Sequence, residues 1–380
     1  AATRVNAQGL VENVQILSGN LVQNGDFSEL GSEEVSNGSF SQEGVEQITN
    51  GNFDTDNNWT KGTGWTISGG NANCDGTQTG NTEIKQQGGI LGSTINFVVG
   101  KTYKVNFDVI VTSGKIRYIE VANGIDNDGI TTSGNYTTYI KASSTNNRFT
   151  IAADPDFNGS IDNVSVKEVG QDWVLGTGWS VGENEAVATN TGGIVSQSVS
   201  FVSGKTYKIS YEIIANSGTL FVQTNSNSFR TITSSGQYVD YITTTTDNVL
   251  RFNGNDGSPF DGSITNISVK EVGQNWTLGS GWSVDQANSK AIGDAATGVL
   301  FTNITITSSS KARIKANVDI SSGGIQIRVG GVSLGYFYNN IDFVFTSNGN
   351  GLVEFVGQSF TGSITNISVI EITDDTNLPR

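Results

Sequence analysis

Polar and apolar residues alternate along most of this chain. The run Thr102-Tyr-Lys-Val-Asn-Phe-Asp-Val-Ile-Val111 has an apolar side chain at nearly every second position, and Gly204-Lys-Thr-Tyr-Lys-Ile-Ser-Tyr-Glu-Ile213 repeats it. A period of two belongs to a β-strand with one buried face. Ser-Gly, Asn-Gly and Asp-Gly pairs punctuate such runs every 8–12 residues or so, the spacing of an all-β sandwich or barrel. No stretch carries the 3.6-residue period of an amphipathic helix.

The alternation recurs as whole modules. Asn-Trp-Thr-Lys-Gly-Thr-Gly-Trp at residues 58–65 returns with small changes at 172–179 and 275–282, and each copy closes on a Gly-x-Ile-x-Asn-x-Ser-Val signature beginning at Gly159, Gly262 or Gly362. Three copies of about 100 residues are three tandem domains, since the period is too long for the rungs of a solenoid. The predicted division is an N-terminal segment at 1–53, domains at 54–170, 171–273 and 274–373, and a tail at 374–380. Copy one is predicted to hold strands at 59–67, 88–97, 101–111, 115–121, 135–142, 148–152 and 160–169, with a matching series in copy two.

A finer repeat precedes the first domain. Asn24-Gly-Asp-Phe27, Asn37-Gly-Ser-Phe40 and Asn50-Gly-Asn-Phe53 are spaced by 13 residues, each with a β-branched residue (Val22, Val35, Ile48) two positions before it. Residues 21–55 therefore read as three short, similar strands.

Composition narrows the chemistry. With no histidine and one cysteine, the chain has no Ser-His-Asp triad, no Cys-His pair and no intramolecular disulfide. Cys74 reads as an inert, half-buried thiol. No acidic pair recurs across the copies as glycoside hydrolysis would need, so the chain is expected to be non-enzymatic. The net charge of −15, with no clustering of the 21 basic residues, argues against a nucleic-acid partner. No apolar run approaches the length of a membrane span, so no membrane insertion is expected.

The paired tryptophans recur in every copy with Gly-x-Gly between them, which favours a core role at a bend in the strand. A recognition surface is expected where the copies differ. Aligning Gly114, Gly218 and Gly323 puts Ile116, Leu220 and Ile325 on an inward face. The opposite phase carries Arg117, Phe221 and Gln326, followed by Ile119, Gln223 and Arg328. Tyr136 and Tyr238 match each other and are added as ligand candidates. Tyr139, Tyr241 and Phe343 align across all three copies and read as packing residues.

The succession of Asn-Gly-x-Phe, a Trp-rich strand, Gly-Lys-Thr-Tyr and Gly-x-Ile-Asp-Asn-Val-Ser-Val resembles the family 4/9-type carbohydrate-binding modules. That resemblance covers copies one and two well and copy three in part, and it implies jelly-roll β-sandwiches. It also implies a structural calcium between the first and closing strands, with Asp54 and Asp162 as candidate ligands in copy one. Thr265 and Thr365 replace Asp162 elsewhere, so a shared calcium site is not expected. Residues 2–12 separately resemble a segment near the start of bacteriophage tail and appendage proteins. Together these imply a structural virion subunit (fibre, tail or capsid decoration) on a virion surface or otherwise extracellular, homo-oligomeric and contacting host polysaccharide. The alternative is an extracellular array of carbohydrate-binding modules, as in an adhesin or the accessory part of a polysaccharide-degrading system. In the resembled family Asn-Gly-x-Phe opens the sandwich, yet three such motifs precede copy one. The strands around Val22, Phe27, Val35 and Phe40 are thus expected either to pair with a neighbouring subunit and drive assembly, or to form a local meander.

Overall fold

The apolar phase of each alternating strand turns inward: Val105, Phe107 and Val109 are buried in Thr102–Ser113, and Ile209, Tyr211 and Ile213 in Thr206–Ser217. In the computed structural model, which describes residues 3–5, 11–13, 16–225, 227–245 and 248–372, these strands build three antiparallel jelly-roll sandwiches in succession. The only helical element among the described residues is the short 3₁₀ turn Gln286–Asn288. Domain 1 stacks a five-stranded sheet on a six-stranded one, and domain 2 repeats both sheets. In domain 3 the strands Lys311–Val329 and Leu352–Ile372 run through both layers, kinked by register shifts between Lys315 and Asn317 and around Ser322.

The tryptophan motif is the corner between layers. Thr60–Lys61 belongs to the five-stranded sheet and Trp65–Ser68 to the six-stranded one, with Gly64 at φ +85° turning the chain between them. All six tryptophans of the motif are buried. Two strand predictions need correction. Residues 88–97 are irregular, and the pairing strand lies earlier, at Thr82–Gln87. The chain after Trp65 also forms a hairpin with Asn71–Asp75, which holds a buried Cys74.

The N-terminal segment is neither an assembly arm nor a meander. Its three motifs enter three different domains in reverse order. Val22 and Phe27 sit in the core of domain 3, Val35 and Phe40 in that of domain 2, and Ile48 and Phe53 in that of domain 1. The expectation that Val22, Phe27, Val35 and Phe40 serve assembly is therefore corrected: each is at most 6% exposed inside its own chain. The proposed boundary at residue 53 falls as well, since residues 16–53 are shared out among the three sandwiches.

Each motif is held the same way. The Phe ring packs on the first tryptophan of its domain, with centroids 5.1, 5.1 and 5.0 Å apart for Phe27–Trp276, Phe40–Trp173 and Phe53–Trp59. That indole N–H donates to the carbonyl of Asn24, Asn37 or Asn50. The closing strand then donates from Ile367, Ile267 or Val164 to the carbonyl of Gly25, Gly38 or Gly51. A Cβ on those glycines would come within 2.0, 1.9 and 2.0 Å of a closing-strand carbonyl oxygen, so no other residue fits. The flanking Asn and Phe adopt positive φ, so the motif is a tight loop rather than the strand expected from its sequence.

Two residues before each β-branched position stands an acceptor that ties both edges. Glu46 accepts from the backbone N–H of Ile48 and Val166, Glu33 from Val35 and Val269, and Asn20 from Val22 and Val369. The short strands Glu43–Glu46 and Leu30–Glu33 extend the closing strands of domains 1 and 2, and Leu17 and Leu21 donate to the closing strand of domain 3. Ile16 bridges Ile372, which ties the start of the N-terminal segment to the end of the closing strand of domain 3.

Candidate functional site

The surface expected to recognise ligand is the outer face of the smaller sheet. The inward assignments hold, with Ile116, Leu220 and Ile325 at most 1% exposed. Arg117, Phe221, Gln223, Gln326 and Arg328 are all half-buried on the other phase. In domain 3 Arg328 donates to Gln326 Oε1 at 2.8 Å, Gln326 Nε2 donates to Ser333, and Gln326 lies across from the exposed Tyr336. In domain 2 Phe221 and Gln223 lie across from Asn253 and Arg251. Domain 1 departs from this pattern. A register shift between Ile116 and Tyr118 leaves both Arg117 and Tyr118 half-buried and turns Ile119 into the core. The three faces are therefore not equivalent.

Tyr136 and Tyr238 do not join that face. They stand on the edge strands Gly134–Lys141 and Gly236–Thr243 of the larger sheets. Each ring stacks on an aromatic of the neighbouring strand, Tyr136 on Phe107 and Tyr238 on Tyr211. Each hydroxyl donates to a backbone carbonyl four residues back, Thr132 or Ser234. Register also corrects the alignment of Tyr139, Tyr241 and Phe343. Tyr139 pairs with Lys104 and Tyr241 with Lys208, whereas the matching Arg313 pairs with Val344.

Beside Tyr136, domain 1 holds a cleft of about 260 Å³. Ile116, Ile119 and Ile130 floor it, Tyr118 and Tyr136 supply ring surface, and Asp126 and Asp128 bring carboxylates. It exists because the edge strand Gly124–Asp126 is only three residues long before the chain loops away. In domain 2 the equivalent strand, Asn227–Ile232, is twice that length and brings Arg230 over the Tyr238 ring, 5.5 Å from its centroid. There Arg230 Nε donates to both oxygens of Asp240, at 2.7 and 2.8 Å, and Tyr211 donates its hydroxyl to Asp240 at 2.7 Å. Burial, then the hydrogen bond to Asp240, pushes the Tyr211 phenol far above its ordinary range. The position of Asp240 is Thr138 in domain 1 and Phe343 in domain 3, where Phe343 meets Phe337 edge-on. Domains 2 and 3 thus occupy with their own side chains the space that domain 1 leaves open.

The cleft went unseen in the sequence because the bulge that exposes Tyr118 has no sequence signature. Asp126 and Asp128 lie in an Asp-Asn-Asp-Gly run, and nothing in the sequence sets them beside Tyr136. The calcium candidates do not converge: Asp54 accepts from Asn52, Asp162 accepts from the Asn163 backbone, and no group of three or more acidic or cysteine side chains placed to hold a metal exists among the described residues. The equivalents of Asp162 show what that position does elsewhere, since Thr265 and Thr365 donate to the carbonyls of Asn184 and Ser289 and so close the neighbouring hairpin. Cys74 is buried, and desolvation raises its thiol pKa, which suits an inert thiol. Most of residues 2–12, and the tail, lie outside the described residues, apart from the backbone pairing of Thr3–Val5 with Val11–Asn13.

No protein-family model and no curated protein matches this sequence. Among solved structures, the chain is similar to the tandem CBM22-1–CBM22-2 domain of Paenibacillus barcinonensis Xyn10C (10% identity, TM-score 0.23, covering 63% of this chain and 98% of that one). It is also similar to a triple jelly-roll protein of the turret assembly in an archaeal virus (15% identity, TM-score 0.21, covering 83% and 89%).

Proposed function

We propose that this chain is a non-enzymatic structural subunit of a virion surface, a stalk of three sandwiches that touches a host glycan through domain 1. The observation that carries this reading is the contrast between the open cleft at Tyr118 and Tyr136 and its filled counterparts in domains 2 and 3. An array built for avidity gains from opening the same cleft in every copy. One open cleft above two filled domains, all bound by a single N-terminal segment, fits a stalk with one contact point. The cleft offers the chemistry a pyranose uses: ring faces for C–H surface, and carboxylates that accept hydroxyl hydrogen bonds.

Glycan-array binding by the full chain tests the reading. Binding that Tyr136→Ala or Asp126→Ala abolishes, and that changes at Phe221 or Arg328 leave intact, supports it. Silence across the array, or binding that survives loss of Tyr136, ends it. Negative-stain images of native particles labelled with antibody to the chain test the virion setting.

A further inference from the structure

The two joints between domains repeat one another, and their third equivalent is exposed. At the first joint Tyr139 packs on the domain 2 core, and Lys104 and Tyr139 face the Glu183 turn that follows Trp179–Gly182. At the second, Lys208 and Tyr241 both reach Gln286 Oε1, at 3.1 and 3.3 Å, in the turn that follows Trp282–Asp285. The last residue of each closing strand, Val169 or Val272, enters the core of the following domain. Leu30, from the strand added to domain 2, packs on domain 3 as well.

Register carries this face onto domain 3. Arg313 replaces the lysine, Val344 replaces the tyrosine, and Leu17, 13 residues before Leu30, replaces the added-strand residue. Ile16 and Leu17 are 68% and 59% exposed. Residues 373–380 do not carry the Gly-x-x-Trp junction found at Gly170 and Gly273. The receiving element exists a third time too, as the hairpin Trp65–Ser68 with Asn71–Asp75 in domain 1, whose turn is Gly69-Gly70. A Cβ on either glycine would touch nothing within 4 Å.

The outgoing face and the incoming turn have changed together. Within the chain, Lys208 donates to Gln286 of the next domain, and Lys104, held by Glu43, lies in the field of Glu183 of the next domain. In domain 3 the equivalent Arg313 is held by Asp342 of its own sheet, and in domain 1 the acceptor position is Gly69. A face whose cation is paired at home fits a turn that offers no acceptor, with Leu17 and Ile16 supplying apolar contact.

We infer that the Ile16–Leu17–Val344 face of domain 3 docks the Gly69-Gly70 turn of a second copy, continuing the array head to tail. Such a contact is heterologous, so it grows past a dimer into a filament or, where its rotation closes, a ring. The inference is independent of the glycan cleft, which lies on other strands.

Sedimentation of the full chain over a concentration series tests it. Concentration-dependent growth beyond dimer that Leu17→Glu reduces to monomer, with circular dichroism unchanged, is the expected result. A monomer at every concentration overturns it. In a Cys74→Ser background, Gly69→Cys and Val344→Cys chains should crosslink when mixed and not separately. Self-crosslinking of the Val344→Cys chain alone would mean a two-fold dimer and would overturn the head-to-tail arrangement.

Discussion

Domain 1 and domain 3 complete the same sandwich from opposite distances. Phe53 packs on Trp59, six residues away, at 5.0 Å, whereas Phe27 makes the equivalent contact with Trp276, at 5.1 Å, across the whole of domains 1 and 2. The contacts in hand are alike, so their enthalpies in the folded state are alike. What differs is the loop that must close and what else has to be in place first. Domain 1 is self-sufficient once its own residues exist. Domain 3 requires the N-terminal segment to reach back past two finished domains, so its folding is coupled to theirs and its contact order is high. The same division separates the clefts, open in the self-contained domain and filled in the others.

The largest expected effect breaks the comparison outright. Deleting residues 1–46 removes the opening motifs of domains 2 and 3 and leaves Ile48 and Phe53 in domain 1. Limited proteolysis with mass spectrometry should find a resistant fragment covering domain 1 and rapid cleavage within residues 171–372. Equal resistance of all three domains would mean that the borrowed motifs contribute little. A synthetic peptide of residues 16–47 added in trans should restore protection.

Single side chains sharpen it. Phe27→Ala and Phe53→Ala each empty a fully buried ring site, with a cost of about 3–5 kcal/mol. Denaturant unfolding followed by hydrogen exchange should show Phe53→Ala loosening domain 1 only, and Phe27→Ala loosening domain 3 while domain 1 keeps its protection. Gly38→Ala, which drives a methyl onto the Ile267 carbonyl, should loosen domain 2 in the same selective way.

The cleft contrast is open to a smaller change. Arg230→Ala removes the side chain lying over Tyr238 and leaves Asp240 with only the Tyr211 hydroxyl. Losing one partner of a largely buried ion pair destabilises domain 2, and the cost is about 3–5 kcal/mol at the fully buried limit and less here, where Arg230 is about a third exposed. It also opens the space that domain 1 already has. If the cleft itself binds glycan, this variant gains a second, weaker site by isothermal titration. An unchanged stoichiometry would assign the binding to Asp126 and Asp128 rather than to the shape of the cleft.

The sequence carried the repeats, the strand alternation and the core tryptophans because all three are periodic and local. Even the stoichiometry of the clasp was visible, as three Asn-Gly-x-Phe motifs before three Trp-x₅-Trp corners. Its routing was not, because 13-residue spacing is equally compatible with a meander, a partner chain or three separate destinations. The Phe–Trp packing and the carbonyl contacts at Gly25, Gly38 and Gly51 distinguish them. The outer-face reading worked at Ile116, Leu220 and Ile325 and failed one turn of alternation later at Ile119, where a single bulge reverses the faces. Phe343 was misaligned with Tyr241 by one residue for a related reason, since copy three has lost the Gly-Lys-Thr-Tyr landmark that fixed the register.

The smallest expected effect concerns acid. Glu43, in the strand added to domain 1, accepts from Lys104 and from Lys167, and these lysines hold its carboxyl below the ordinary value of 4.5. A lowered folded-state pKa means the interaction contributes fully above the unfolded value and is lost as pH falls through the folded one. The matching position at the second joint is Leu30, which does not titrate. Between neutral pH and about pH 4.5 both joints should keep their hydrogen-exchange protection. Further acidification should loosen the strand Glu43–Glu46 and the Lys104 edge of the first joint before Leu30–Glu33 yields. The Glu43→Gln chain should lose that difference. A parallel loss at both strands, unchanged in the variant, would overturn the assignment of the acid sensitivity to Glu43.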